Sequence, residues 1–210
     1  MKRIFTVQHT QSEHHVNGMV GSWTDWDLTE TGKRQAELIA ENLARELKGQ
    51  DVILYSSDLK RAKQTAGPIA SKLGAELVLR PELRERNLGR CCGRSVQWLK
   101  ENLERDEKTV DDRLFSDAES RRDVWNRLKP FFEEMMADEY ENVVIVSHGD
   151  LLSVFNAMFL GLQVESLNTS EIFGLAGGVS RLIVRDDGKR VIRNIGDMAP
   201  VRQLDRENSP

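Results

Sequence analysis

A chain of 210 residues with 30 Lys and Arg against 34 Asp and Glu carries a net charge of −4 and has a pI near 5.7. That balance offers no general attraction to nucleic acid or to anionic membranes, so any capacity for phosphate has to be local; no uninterrupted apolar run is long enough to span a bilayer. The length suits one domain, 1–210, with room for an ample core. Cys91 and Cys92 are adjacent, a spacing that strains a bridge, and are expected as free thiols. Met1 to Phe5 leads directly into a strand without the features of a signal peptide, so a cytoplasmic location is expected.

Arg3 to Val7 is apolar and β-rich and breaks into Gln8-His9-Thr10, which puts His9 at the carboxyl end of a strand. Asn142 to Ser147 runs out in the same way into His148-Gly149-Asp150. Ligands of open α/β sheets bind at that edge, so if the two strands are neighbours both imidazoles face one crevice, His9 as an exposed group. Between them the chain alternates. A long loop, Gln11 to Asp27, carries glycine, histidine and tryptophan, a composition expected of a functional loop. Thr29 is the expected cap of a helix reaching about Leu47, with Ala36, Ile39, Ala40, Leu43 and Leu47 on one face.

Asp51 to Ser57 is a second buried strand, followed by a helix for which Asp58 is the expected cap and Pro68 a kink. Arg61 falls in the first turn of that helix, where a cation opposes the dipole and calls for an anionic partner. Glu76 to Arg80 reads as a third strand, and Pro81 to Ser95 as an irregular, charged stretch containing Glu85, Arg86 and Arg90. Helical patterns cover Val96 to about Glu104 and Asp117 to Met136, the latter with a kink at Pro130, joined by a highly charged connection. Leu151 to Leu160 is an apolar helix stopped by Gly161. Glu171 to Leu175 and Val179 to Val184 flank Gly177-Gly178 as a hairpin would, and Arg190 to Ile195 pairs back across Asp187-Gly188. The tail from Arg202 is polar and expected to fray. Helices alternating with strands, then terminal hairpins, indicate a three-layer α/β/α sandwich on a mostly parallel mixed sheet.

Two strand-end histidines, an arginine at a helix start and a loop glutamate suit phosphoryl transfer. A neutral imidazole nitrogen can attack phosphorus and split one hard displacement into two easier ones. Arg61 and a protonated His148 would neutralise the transferring group. A carboxylic acid must protonate the departing oxygen and later, as carboxylate, activate water; residue types alone do not select which one.

Five stretches carry a resemblance: the strand ending in His9, Leu28 to Ala36, Tyr55 to Ala66, Leu83 to Gly89, and Val146 to Gly149. In order and over almost the whole chain, they resemble the histidine phosphatase superfamily, the phosphoglycerate mutase-like fold. The resemblance implies that His9 is the phosphorylated nucleophile, that Arg61 and His148 hold the phosphoryl group, and that Glu85 is the acid and base. It also implies a substrate pocket lined by Gln8, His15, Gly21, Ser22, Arg86 and Gly149, no metal or cofactor, and a helical insertion at about 94–140 that covers the site. The expected substrate is a small phosphorylated metabolite, with no nucleic acid or membrane partner and a homodimer left open.

Three positions depart from the family pattern. Gln8 stands where the family has arginine, and glutamine cannot make the bidentate charged contact of a guanidinium. His15 stands in place of an asparagine and would restore part of the lost charge below its pKa. Cys92 stands where a second acidic residue is common. The leading expectation is hydrolysis of a phosphate monoester through phosphohistidine. The rivals are a phosphomutase, a phospho-ligand-binding protein disabled by Gln8, and a metal site on the four histidines. Against the last, adjacent His14 and His15 point apart if extended. Trp23 and Trp26 are expected either to stack on substrate or to pack beneath their loop, and Arg86 and Arg90 either to bind a second anion or to form surface ion pairs.

Overall fold

The computed structural model describes residues 1–202. One six-stranded sheet has the order β3-β2-β4-β1-β5-β6. Its strands are β1 (Lys2–Gln8), β2 (Ile53–Ser56), β3 (Leu77–Leu79), β4 (Asn142–Ser147), β5 (Val179–Val184) and β6 (Arg190–Asp197). The first four run parallel, and β5 joins β1 antiparallel with β6 folded back on it across Asp187-Gly188. β1 and β4 are direct neighbours, with Gln8 opposite Ser147, so His9 and His148 leave the sheet side by side. The strand-end convergence follows from apolar runs that stop at the same level.

Strand alternation sorts the core into two faces. Phe5, Val7, Leu54, Val144 and Val146 meet α1 (Glu30–Glu46) and α2 (Lys60–Leu73) through Ile39, Leu43, Ala62, Ala66 and Ile69. On the opposite face Ile4, Ile53, Tyr55, Val143 and Ile145 meet α4 (Arg121–Ala137) and α5 (Gly149–Phe159) through Val124, Leu128, Phe131, Val154 and Phe155. At ~25 cal/mol per Å² of apolar surface, these two buried layers are the main stabilising term. Thr29 caps α1 as expected, its hydroxyl accepting from Gly32 N at 3.0 Å.

Several expectations are corrected. Leu59 precedes α2, and the Asp58 carboxylate is instead drawn into a two-point ion pair with Arg84 at 2.7 and 2.6 Å. α4 starts only after Ser120, whose hydroxyl accepts from Asp123 N. Glu171 to Leu175 is irregular rather than the first arm of a hairpin, because β5 takes its partners from β1 and β6. The stretch at about 94–140 divides. α3 (Val96–Asn102) and the loop to 120 form a small separate cluster in which Phe115 and Ala118 pack with Val20, Cys91 and Trp98, whereas α4 belongs to the central core. Its apolar stripe at 124, 128, 131, 132 and 135 is buried against the sheet and so cannot serve as a cover. Of the polar tail, Arg202 is exposed, and residues 203–210 lie outside the described residues.

Candidate active site

At the carboxyl ends of β1 and β4 opens a cavity of about 310 Å³. Nine of the ten site residues expected from the sequence border it: Gln8, His9, His15, Gly21, Ser22, Arg61, Glu85, Arg86 and Gly149. The tenth, His148, lies behind the wall with its ring centroid 5.0 Å from that of His9.

His9 is buried, not exposed, and forms part of the lining. Its Nδ1 lies 2.9 Å from the Thr10 carbonyl, which can only accept, so Nδ1 carries the proton of the neutral ring and Nε2 holds the free lone pair. Arg61 Nε donates to that Nε2 at 3.1 Å. The guanidinium itself is fixed by main chain, Nη1 on the Thr24 carbonyl and Nη2 on the Ser22 carbonyl, each at 2.8 Å. Ser22 adopts a left-handed backbone, φ 49°, that aims its carbonyl inward. Burial, then the charge of Arg61, holds His9 well below the usual histidine range. Burial lowers Arg61 itself to about 10.

His148 is fully buried and bonded through Nε2 to Ser57 Oγ at 2.8 Å, while its Nδ1 has no partner. Burial and Arg61 push its pKa far down, so the resting ring is neutral, contrary to the protonated donor expected from the sequence. The same correction applies to His15, lowered by burial and by Arg61, which therefore restores no charge at neutral pH. Glu13–His15 forms a 3-10 turn that brings the His14 and His15 rings to 4.0 Å instead of pointing them apart. His9, His14 and His15 place ligand atoms within 4.8 Å of one another. The donor set nevertheless fits a cation poorly. Nδ1 of His15 accepts from Ser12 N at 3.2 Å, leaving the proton on Nε2, and Nε2 of His9 faces a guanidinium.

Glu85 lies at the N-terminus of α5, where Oε1 accepts from Arg86 N at 2.9 Å and from Leu151 N at 3.1 Å. Burial, and then the neighbouring Asp150 carboxylate, raises it to about 7 despite those amides. A group poised there can give a proton and take one back near neutrality. Gln8 stands against Gly149, where a Cβ would lie 3.4 Å from its Nε2, and its buried Oε1 has no hydrogen-bond partner. Arg86 is buried and committed, with Nη1 2.6 Å from Glu107 and Nε 3.2 Å from Asp150. Arg90 is more exposed and pairs with Glu104 and Asp117.

The tryptophans do not border the cavity. Trp23 lies between Arg84 and Arg127, 4.7 and 5.8 Å from its ring, and donates to the Glu85 carbonyl at 2.6 Å. It braces the loop that holds the acid. Sequence reasoning missed His14, Val20, Leu88, Asp150, Phe173 and Gly174 in the lining. Asp150 was flagged by its place directly after Gly149; Phe173 was concealed by a strand-like pattern.

A family model described as the histidine phosphatase superfamily, branch 1, matches residues 4–197. A phosphoserine phosphatase 1 of Hydrogenobacter thermophilus is 32% identical over 197 residues, covering 91% of this chain and 90% of that protein. A glucosyl-3-phosphoglycerate phosphatase of Mycolicibacterium vanbaalenii is 31% identical over 183 residues, 79% of this chain and 77% of its own. Phosphoglycerate mutases are also among the relatives. The structure of a mycobacterial glucosyl-3-phosphoglycerate phosphatase in complex with VO3 superposes with a TM-score of 0.82 at 24% identity, covering 94% of this chain and all of that one, a likeness of fold. No described helix is long and apolar enough to cross a membrane.

Proposed function

Since the chain belongs to the histidine phosphatase superfamily, branch 1, we propose that it hydrolyses a small phosphate monoester through a phosphohistidine on His9. The observation that carries this reading is the fixed tautomer of His9: with Nδ1–H on the Thr10 carbonyl, the lone pair lies on Nε2, where Arg61 Nε donates to it at 3.1 Å and must turn to the phosphoryl oxygens as Nε2 attacks. Nε2 attacks phosphorus as the P–O bond to the leaving group breaks, and protonated Glu85 gives that oxygen its proton. The resulting Glu85 carboxylate then takes a proton from water as the water oxygen attacks phosphorus, the P–N bond breaks, and phosphate leaves. Arg61 neutralises the equatorial oxygens. A phosphoryl dianion beside His148 raises the pKa of that ring, which would let it join as a second cation.

Uncharged donors complete the pocket in this reading. Nε2–H of His15 and the Gln8 amide can each hold one phosphoryl oxygen, without the charge of the family arginine. α3 and the loop to 120 serve as the roof. No metal enters the scheme.

Rapid quenching in alkaline detergent after mixing with a ³²P-labelled aryl phosphate tests the proposal. The expected result is an acid-labile, alkali-stable label on the protein, absent from His9→Ala, and release of inorganic phosphate. Label that persists in His9→Ala would overturn the assignment, and an isomerised ester in place of free phosphate would favour a mutase. Tight phosphate binding with no label and no turnover would select a phospho-ligand-binding protein instead.

A further inference from the structure

Resting on the hydrolase reading, we infer that the cavity selects a leaving group without a second negative charge and with an apolar or aromatic face. The wall around Arg86 is the first ground. Its one guanidinium is matched by two carboxylates, Glu107 at 2.6 Å and Asp150 at 3.2 Å, so the formal charge of the trio is −1. Arg86 and Glu107 are both largely buried, with side-chain exposures of 6% and 16%, so solvent screens this pair little. Asp150 also acts electrostatically on the acid, being the main charge that raises Glu85. An anionic substituent on the leaving group would meet that surplus of negative charge beside Arg86.

The second ground is the apolar lining. Val20 and Leu88 border the cavity together with Phe173, which is 44% exposed and so leaves an aromatic side chain open at the cavity. The third is Gln8, whose buried Oε1 lacks a donor and suits an uncharged hydroxyl or amide N–H of a bound molecule better than an anion. Negative surplus, an open aromatic face and an orphaned acceptor all discriminate against the carboxylate-bearing alcohols and favour aryl, aralkyl or nucleoside-like ones.

A matched pair of esters decides the matter: phenyl phosphate and 4-carboxyphenyl phosphate, which differ by one carboxylate. The native enzyme is expected to prefer phenyl phosphate in kcat/KM by about tenfold or more, the scale of one unscreened like-charge contact. In Glu107→Gln that preference should shrink several-fold, because the surplus negative charge beside Arg86 is removed; comparing enzymes cancels the intrinsic reactivity of the two esters. Phe173→Ala should lower kcat/KM for phenyl phosphate several-fold more than for ethyl phosphate. Equal or better use of the carboxylated ester by the native enzyme, or a preference unmoved by Glu107→Gln, would overturn the inference while leaving hydrolysis intact. Should neither ester turn over, calorimetric binding of benzylphosphonate against 4-carboxybenzylphosphonate reads the same preference without chemistry. Failure of the hydrolase reading is thus separable from failure of the selectivity.

Discussion

Ser12 and His15 are joined by a hydrogen bond in which the backbone N–H of Ser12 donates to Nδ1 of the imidazole at 3.2 Å. The ring has one proton when neutral, so this bond places it on Nε2 and makes His15 an uncharged donor. Asparagine offers an uncharged donor as well. His15→Asn is therefore expected to keep kcat/KM within about tenfold, whereas His15→Phe, similar in shape but without a donor, should lose ~10²–10³. Steady-state rates at pH 7 check this; equal losses in both variants would remove His15 from the phosphoryl pocket.

Gln8 gives the cavity an amide where a guanidinium would add charge. Gln8→Arg is expected to tighten competitive inhibition by inorganic phosphate by about tenfold, the change expected from replacing a neutral hydrogen bond with a charge-assisted, two-point one. Gly149 and Gly174, whose hypothetical Cβ atoms lie 3.4 and 3.8 Å from the Gln8 amide, leave space for the larger head group. An unchanged inhibition constant in a folded variant would count against Gln8 as a phosphoryl contact.

Glu85 and the histidines pull stability in opposite directions with pH. A carboxyl raised from 4.5 to about 7 holds its proton more tightly in the folded chain than in the unfolded one. Its contribution is therefore complete below pH 4.5 and lost as pH climbs through about 7. His9, His14, His15 and His148 are all lowered from 6.5, His14 to about 3, so their contribution is present above pH 6.5 and disappears as pH falls. Glu85→Gln keeps an oxygen for the Arg86 and Leu151 amides and deletes the titration. It should abolish turnover, and its Tm relative to the native protein should rise between pH 5 and pH 8. Calorimetry across that range reads the difference; parallel curves would mean that the carboxyl is not raised. Native turnover limited by leaving-group protonation should decline as pH rises through about 7.

Two glycines make an internally controlled stability experiment. A Cβ on Gly32 would lie 1.9 Å from the Gln11 carbonyl oxygen, a backbone atom that cannot swing aside, whereas one on Gly67 meets nothing within 4 Å. Gly32→Ala is expected to cost ~2–3 kcal/mol or more despite better helix propensity. Gly67→Ala, on the exposed side of α2 but directly before Pro68, whose ring offsets the gain in helix propensity, should change stability by no more than ~1 kcal/mol. Urea denaturation of the pair measures both; a neutral Gly32→Ala would mean that α1 does not begin against the Gln11 backbone.

What could be read beforehand was whatever local pattern controls. Apolar runs ending at His9 and His148 located the crevice, Thr29 its helix, and Asp187-Gly188 the β5–β6 turn. What escaped depends on partners distant in sequence. Asp58 looks like a cap until Arg84, 26 positions away, takes its carboxylate. Glu171 to Leu175 looks like a strand, but β5, its expected partner, is already paired with β1 and β6. The stripe of α4 reads equally well as roof or core, and only its burial against β1, β2 and β4 distinguishes them. Protonation was least legible, because neutral histidines follow from desolvation and from the charge of Arg61, neither of which a motif records.

Thr10, Ser22 and Thr24 lend carbonyls, and Arg86 and Leu151 lend amides, to the three groups on which the chemistry turns. Those tethers belong to the peptide backbone and survive any exchange of side chain that preserves the trace. Descendants of such an architecture are free to drift at the rim without dismantling the apparatus beneath. Diversification of substrate range then needs few simultaneous changes, and a chain like this one is a convenient starting point for laboratory evolution toward new esters.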